Sequence, residues 1–214
     1  MLSVYPSDSA VAAMVLAHGA GGGSQSRFMV QAANAFAARG ITVATFDFPY
    51  MAEGRSVPDK GPVLEAAWRA AVDAARAHLS LAGLPIFIGG KSMGGRIASQ
   101  IAALHVDGIA GLVYLGYPLH RPGRPEQRRD RHLPEITEPM LFVQGTRDQF
   151  GTAAEIRELL PRLNPRTSLF EVEDGDHSFT VRVKVTGKRP DAVLTEIFDT
   201  VASFIHTCAN STSR

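Results

Sequence analysis

The chain has 214 residues, 45% of them apolar and 20% charged, and its 22 lysines and arginines nearly balance 21 acids. That length suits a single domain over residues 1–214 with a sizeable core, and a net charge of +1 offers no electrostatic footprint for nucleic acid or a membrane surface. One cysteine, Cys208, excludes an intramolecular disulfide and fits a reducing compartment.

From the N-terminus onward, no basic segment precedes an apolar core of signal-peptide length. The first apolar run, 11–17, is far shorter than the about 20 residues that span a bilayer. A cytoplasmic protein is therefore expected, and the sequence carries no signal of oligomeric state. Six short runs rich in β-branched or aromatic residues predict buried strands: 11–17, 41–46, 85–89, 109–115, 139–144 and 167–173.

Segments with helical spacing lie between them. Phe28, Ala32, Ala35 and Phe36 share one face, as do Leu64, Trp68, Ala71, Ala75 and Leu79. Ile97, Ile101 and Leu104 repeat the pattern, followed by Ile156, Leu159, Leu160 and Leu163, and finally by Leu194, Ile197, Phe198, Val201 and Ile205. Strand and helix alternate, which predicts an α/β fold: a mostly parallel sheet of six or seven strands flanked by helices on both faces. Ligand sites in such sheets lie beyond the carboxyl ends of the strands.

Two stretches depart from the rhythm. Residues 117–138 form a polar connection with four prolines and the arginines Arg121, Arg124, Arg128, Arg129 and Arg131. It is the one segment long enough to act as a short lid. Residues 180–188 alternate Val181, Arg182, Val183, Lys184 and Val185, a pattern that suits an edge strand or hairpin arm.

Gly90-Lys91-Ser92-Met93-Gly94 follows a predicted strand and opens a predicted helix. That context turns a weak G-x-S-x-G match into a candidate nucleophile on a sharp strand-to-helix turn. A phosphate-binding loop would need glycine at position 85, where this chain has Pro85, and the run from Gly19 to Ser24 has serine at the sixth place, where a dinucleotide fingerprint needs its third glycine. No cofactor and no metal site is expected.

Four motifs occur in order: His18-Gly19-Ala20-Gly21-Gly22, the serine motif continued by Gly95, Gly145-Thr146-Arg147-Asp148, and Gly175-Asp176-His177-Ser178-Phe179. With them the chain resembles the α/β-hydrolase superfamily, and within it the small dienelactone-hydrolase-like bacterial branch, from Val11 to about Ile205. The resemblance implies a catalytic triad of Ser92, His177 and Asp148, with Asp174 and Asp47 as weaker alternatives for the acid. It implies an oxyanion hole from the amides of Met93 and Ala20, with Gly21 beside them. It also implies hydrolysis of small-molecule carboxylic esters or thioesters through an acyl-enzyme.

Two other classes remain open: a non-catalytic binding module on the same fold, and an acyltransferase using the same nucleophile. Dehalogenases and epoxide hydrolases require an acidic nucleophile, and a dienelactone hydrolase proper carries cysteine where Ser92 stands. No helical cap follows Leu115, so the cap is minimal. His120, Arg121 and Arg124, on the connection, are the candidate substrate contacts, either attracting anionic esters or forming a solvated face. His18 is expected to be structural, His78 and His105 to sit on helices, and Lys91 either to steer acidic substrates or to be an accommodated surface lysine.

Overall fold

The computed structural model describes residues 1–78 and 80–212, so Leu79 lies outside the described residues. Strands β1 (Ser3–Tyr5), β2 (Ala12–Ala17), β3 (Ile41–Phe46), β4 (Ile86–Lys91), β5 (Ile109–Leu115), β6 (Met140–Gly145) and β7 (Thr167–Val172) form one sheet. Their order is β1-β3-β2-β4-β5-β6-β7. Only β1 runs antiparallel; the other neighbours pair in parallel.

Parallel strands joined by helical crossovers are covered on both faces, which explains why their sequences read as unbroken apolar runs. In β2, Ala13, Val15 and Ala17 face a core shared with Leu64, Trp68, Ile97 and Ile101, from α3 (Gly61–Ala77) and α4 (Met93–Ala102). The alternate residues Ala12, Met14 and Leu16 face Met29, Phe36, Ile197 and Val201, from α1 (Arg27–Ala37) and α7 (Pro190–Thr212). The period of two along the strand thus divides one apolar run between two cores. Among the described residues α7 alone is long and apolar enough to pass for a membrane span, but its apolar stripe packs on the sheet.

Among the described residues three short α-helices complete the fold: α2 (Pro49–Ala52), α5 (Ala153–Arg157) and α6 (Val183–Thr186). The spacing of Ile156, Leu159, Leu160 and Leu163 suggests a single helix, but α5 ends at Arg157 and a 3-10 turn spans Leu160–Arg162. Pro161 accounts for the break, because it lacks an amide proton and its ring crowds the preceding turn. Thr152 and Glu155 close a capping box at the start of α5.

Residues 180–188 contain no strand. Val183 and Val185 stand 48% and 57% exposed, so alternation here found no second surface to bury against. The backbone instead forms α6, ended by Gly187 in the left-handed region at φ 68°. His78 caps the end of α3 and His105 lies beyond α4 at φ 54°, so neither sits within a helix. Leu104, past the end of α4, is exposed and leaves the apolar face to Ile97 and Ile101.

Candidate active site

Ser92 joins β4 to α4 with φ 50° and ψ −115°, a strained conformation for a residue with a side chain. The turn is wedged against the end of β2. A Cβ on Gly90 would stand 2.2 Å from the Ala17 carbonyl oxygen, and one on Gly94 would stand 2.4 Å from the same atom. Both positions therefore require glycine. Buried Trp68 reinforces the turn by donating from Nε1 to the Gly94 carbonyl at 3.0 Å.

Ser92, His177 and Asp148 come together as one hydrogen-bonded row. Ser92 Oγ lies 2.8 Å from His177 Nε2, and His177 Nδ1 lies 2.7 Å from Asp148 Oδ2. The loops after β6 and β7 touch: Gly145 packs so tightly on Gly175 that a Cβ would approach its carbonyl oxygen to 2.3 Å. Asp148 is 1% exposed and its Oδ1 accepts from the Phe150 amide at 2.8 Å. Gln144, at the end of β6, donates from Nε2 to Asp148 Oδ2 at 3.0 Å and accepts the Tyr117 amide at 2.7 Å. Sequence reasoning had no role for Gln144; its signal was a polar residue closing an otherwise apolar strand.

The two alternative acids are engaged elsewhere. Asp47 Oδ1 accepts the Ser24 amide at 2.6 Å. Asp174 pairs with Arg147 and Arg182, and these hydrogen bonds hold its carboxyl well below the usual carboxylate range. Asp176 folds back onto the amides of Ser178 and Thr180.

Two further side chains hold the His177 loop. The Phe150 ring lies 4.3 Å from the imidazole centroid. Lys91 donates from Nζ to the His177 carbonyl at 2.5 Å and lies 5.2 Å over the Phe179 ring. Burial pushes the Lys91 ammonium down to about 8, against the opposing pull of Asp148 and Asp176.

The turn of residues 18–22 faces the nucleophile. His18 is fully buried; its Nδ1 lies 2.7 Å from the Gly19 carbonyl while Nε2 accepts the Phe48 amide at 3.1 Å. These contacts fit one neutral tautomer, and burial lowers its pKa. Tyr50, which the sequence did not single out, donates its hydroxyl to the Ala20 carbonyl at 3.1 Å and pins that peptide. Among the described residues the amides of Ala20 and Met93 find no protein acceptor. No three His, Cys, Asp or Glu side chains among the described residues cluster as metal ligands would.

Cavities flank Ser92 on two sides. One, of about 500 Å³, runs past Gly21, Phe28, Met29, Lys91 and His177. The other, of about 360 Å³, runs between Leu64, Arg96, Pro118 and Arg129. Ala20 and Phe150 border both. His120, Arg121 and Arg124 line neither cavity. His120 is buried against Glu155 at 3.1 Å, and Arg121 and Arg124 pair across an exposed turn. The same connection reaches the serine through Pro118 and Arg129 instead. The chain returns toward α4 there, with the Tyr117 hydroxyl donating to the Arg129 carbonyl at 2.7 Å.

A strained serine at the carboxyl end of a parallel strand, with histidine and acid delivered by later loops, defines a protein of the α/β-hydrolase class. The family model described as an alpha/beta hydrolase domain matches residues 10–206, and the chain belongs to that family. Solved structures share the fold at low identity. A dienelactone hydrolase from Anabaena variabilis superposes with a TM-score of 0.74 at 18% identity, over 96% of this chain and 90% of that one. Est1E from Butyrivibrio proteoclasticus, bound to ferulic acid, gives 0.69 at 16%, over 94% and 96%. An alpha-beta serine hydrolase homologue from Coxiella burnetii gives 0.71 at 17%, over 92% and 88%.

Proposed function

We propose that the protein hydrolyses small carboxylic esters or thioesters, with Ser92 as nucleophile, His177 as general base and Asp148 as its orienting acid. The observation that carries this reading is the unbroken row from Ser92 Oγ to His177 Nε2 and from Nδ1 to Asp148 Oδ2, at 2.8 Å and 2.7 Å. Ser92 Oγ attacks the acyl carbon as its proton passes to His177 Nε2. Asp148 keeps the Nδ1 proton in place and stabilises the imidazolium. The uncommitted amides of Met93 and Ala20 receive the oxyanion, the first also favoured by the positive end of α4.

Collapse of the tetrahedral intermediate transfers the Nε2 proton to the leaving oxygen or sulfur. Water then repeats the sequence on the acyl-enzyme, restoring free Ser92 and releasing the acid. The names of structural neighbours, an esterase from Pyrococcus furiosus and a dienelactone hydrolase among them, support carbonyl chemistry of this type. A dienelactone hydrolase proper is disfavoured by serine at the nucleophile's place.

Fluorophosphonate labelling and a panel of aryl esters test the reading. Labelling is expected at Ser92 and is lost in Ser92→Ala, whose turnover drops by about 10⁴ to 10⁶. Undiminished ester turnover in purified, folded Ser92→Ala protein overturns the assignment. Accumulation of transacylated product in preference to free acid would mark an acyltransferase instead.

A further inference from the structure

The two cavities beside Ser92 hold different charged groups, Lys91 in one and Arg96, Arg129 and the Arg55-paired Asp59 in the other, and that difference points to a substrate class. This inference rests on the hydrolase reading above and concerns which acyl group the site takes. His177 borders the cavity of Phe28 and Met29 and does not border the one containing Arg96 and Arg129. A leaving group must receive its proton from His177, so it departs on the Phe28 side. The acyl substituent then lies on the other side, against the two arginines.

Neither Arg96 nor Arg129 forms an ion pair among the described residues. Arg96 donates from Nη1 to Gln100 at 3.1 Å, and its Nε is buried with no hydrogen-bond partner. The nearby acids do not supply one. Asp59, which lines the same cavity, is held by Arg55 and the Tyr50 amide, and Asp130 is held by Arg128. Glu65 on α3 acts on Arg96 only through the field.

The His132 and Tyr117 side chains packed around the arginines carry no charge to offset theirs. Burial and Arg96 hold the His132 imidazole down at about 4, so it is neutral at physiological pH, and its Nε2 lies 2.7 Å from Ser99 Oγ. Burial pushes Tyr117 up to about 12, so its hydroxyl keeps its proton. Both guanidinium pKa values are lowered, Arg129 first by burial and then by repulsion from Arg96 and Arg121. Two like charges, partly desolvated and with no carboxylate in ion-pair contact among the described residues, form a site that an anion would complete.

The geometry points to an anionic acyl group: the cavity takes the free carboxylate of a short dicarboxylic monoester or monothioester, held by Arg96 and Arg129. Arg96 follows Ser92 by four residues on α4, one turn or about 6 Å along the axis. A carboxylate three or four carbons from the reacting carbonyl matches that offset, and planar guanidinium forks suit it. Leu64, Pro58 and Pro118 supply apolar walls for the intervening methylenes.

The test compares an aryl glutarate monoester with its neutral isostere, the aryl 5-methylhexanoate. Wild-type kcat/KM is expected to be at least about tenfold higher for the glutarate ester. Arg96→Gln and Arg129→Gln should each lower the glutarate-to-isostere ratio by about tenfold, whereas Arg121→Gln/Arg124→Gln should retain it. Free glutarate should inhibit neutral-ester turnover by wild type competitively and more strongly than glutaramide, a measurement that needs no variant to fold. Equal kcat/KM for the two esters, with turnover still dependent on Ser92, overturns the anion site and leaves the hydrolase reading standing. Loss of the ratio in Arg121→Gln/Arg124→Gln alone overturns the placement at Arg96 and Arg129. Absence of any Ser92-dependent turnover defeats the hydrolase reading itself, and this inference with it.

Discussion

Gln144 joins the end of β5 to the acid of the site: its amide binds both polar groups of the Tyr117 backbone, Asp148 and the Gly151 carbonyl. Each buried polar group left without a partner costs about 1–3 kcal/mol. Gln144→Leu should therefore destabilise the fold by about 2–4 kcal/mol in urea titration. It should also lower kcat more than it raises KM, because Asp148 loses a support while the substrate cavities keep their walls. Unchanged kcat in a folded variant would show that the Phe150 amide and His177 suffice to hold the acid. Lys91 gives a pH signature. Its folded pKa of about 8 lies below its ordinary 10.5, so between those values the folded protein holds fewer protons than the unfolded chain. Unfolding free energy then rises with pH across that window. Wild type should gain stability relative to Lys91→Met between about pH 8 and pH 10, as measured by denaturant titration; parallel curves would contradict a depressed Lys91. Deprotonation also weakens the bond to the His177 carbonyl, so wild-type kcat should decline on the alkaline side.

The elements most legible in the sequence were those with one physical cause. The six apolar runs correspond to β2 to β7 within two residues at either end, because a strand buried on both faces must be apolar throughout. The serine turn was legible because Gly90, Ser92 and Gly94 each answer a separate steric demand. Illegible features depended on tertiary partners. The alternation at Val181 to Val185 lacked a neighbouring strand, and Tyr50 gained its role only when α2 brought its hydroxyl to the Ala20 carbonyl. In the connection 117–138, the sequence shows five arginines but not which of them turns inward. Arg129 does so because its backbone bonds both Leu119 and Tyr117, while Arg121 and Arg124 sit on an exposed turn. Trp68 joins α3 to the serine turn in the same hidden way. Trp68→Phe keeps most of the apolar volume but removes the donor to Gly94, at a cost of about 1–3 kcal/mol. Because that carbonyl belongs to the first turn of α4, kcat should fall with the stability while KM changes little. A stability loss with no kinetic effect would confine Trp68 to packing.

Across the whole molecule, catalytic groups from distant parts of the sequence depend on a few ties between loops at one end of the sheet. Asp174 is the most connected. Its carboxylate takes Arg147 from the loop that carries Asp148, at 2.8 Å, and Arg182 from the segment after His177. The Arg182 amide also donates to it at 2.7 Å, and the Arg147 amide donates to Gly175 at 2.9 Å. Asp174 itself adopts φ 54°, a left-handed conformation that aspartate tolerates better than most side chains. The arginines hold its folded pKa well below the ordinary 3.8. A carboxylate with a depressed folded pKa contributes stability above its unfolded value, and that contribution disappears as pH falls toward the folded value. Wild type should therefore exceed Asp174→Asn in Tm by a constant margin at neutral pH. The margin should narrow as the medium is acidified below about pH 4, where the unfolded carboxylate starts to take up protons. Thermal melts at neutral pH and at two acidic values check the trend. Asp174→Asn should also show a lower kcat at neutral pH, since the Asp148 and His177 loops then share one tie fewer. A margin unchanged from neutral to strongly acidic conditions would mean that the asparagine variant loses shape rather than charge, and that the arginine clasp is not what aligns the two loops.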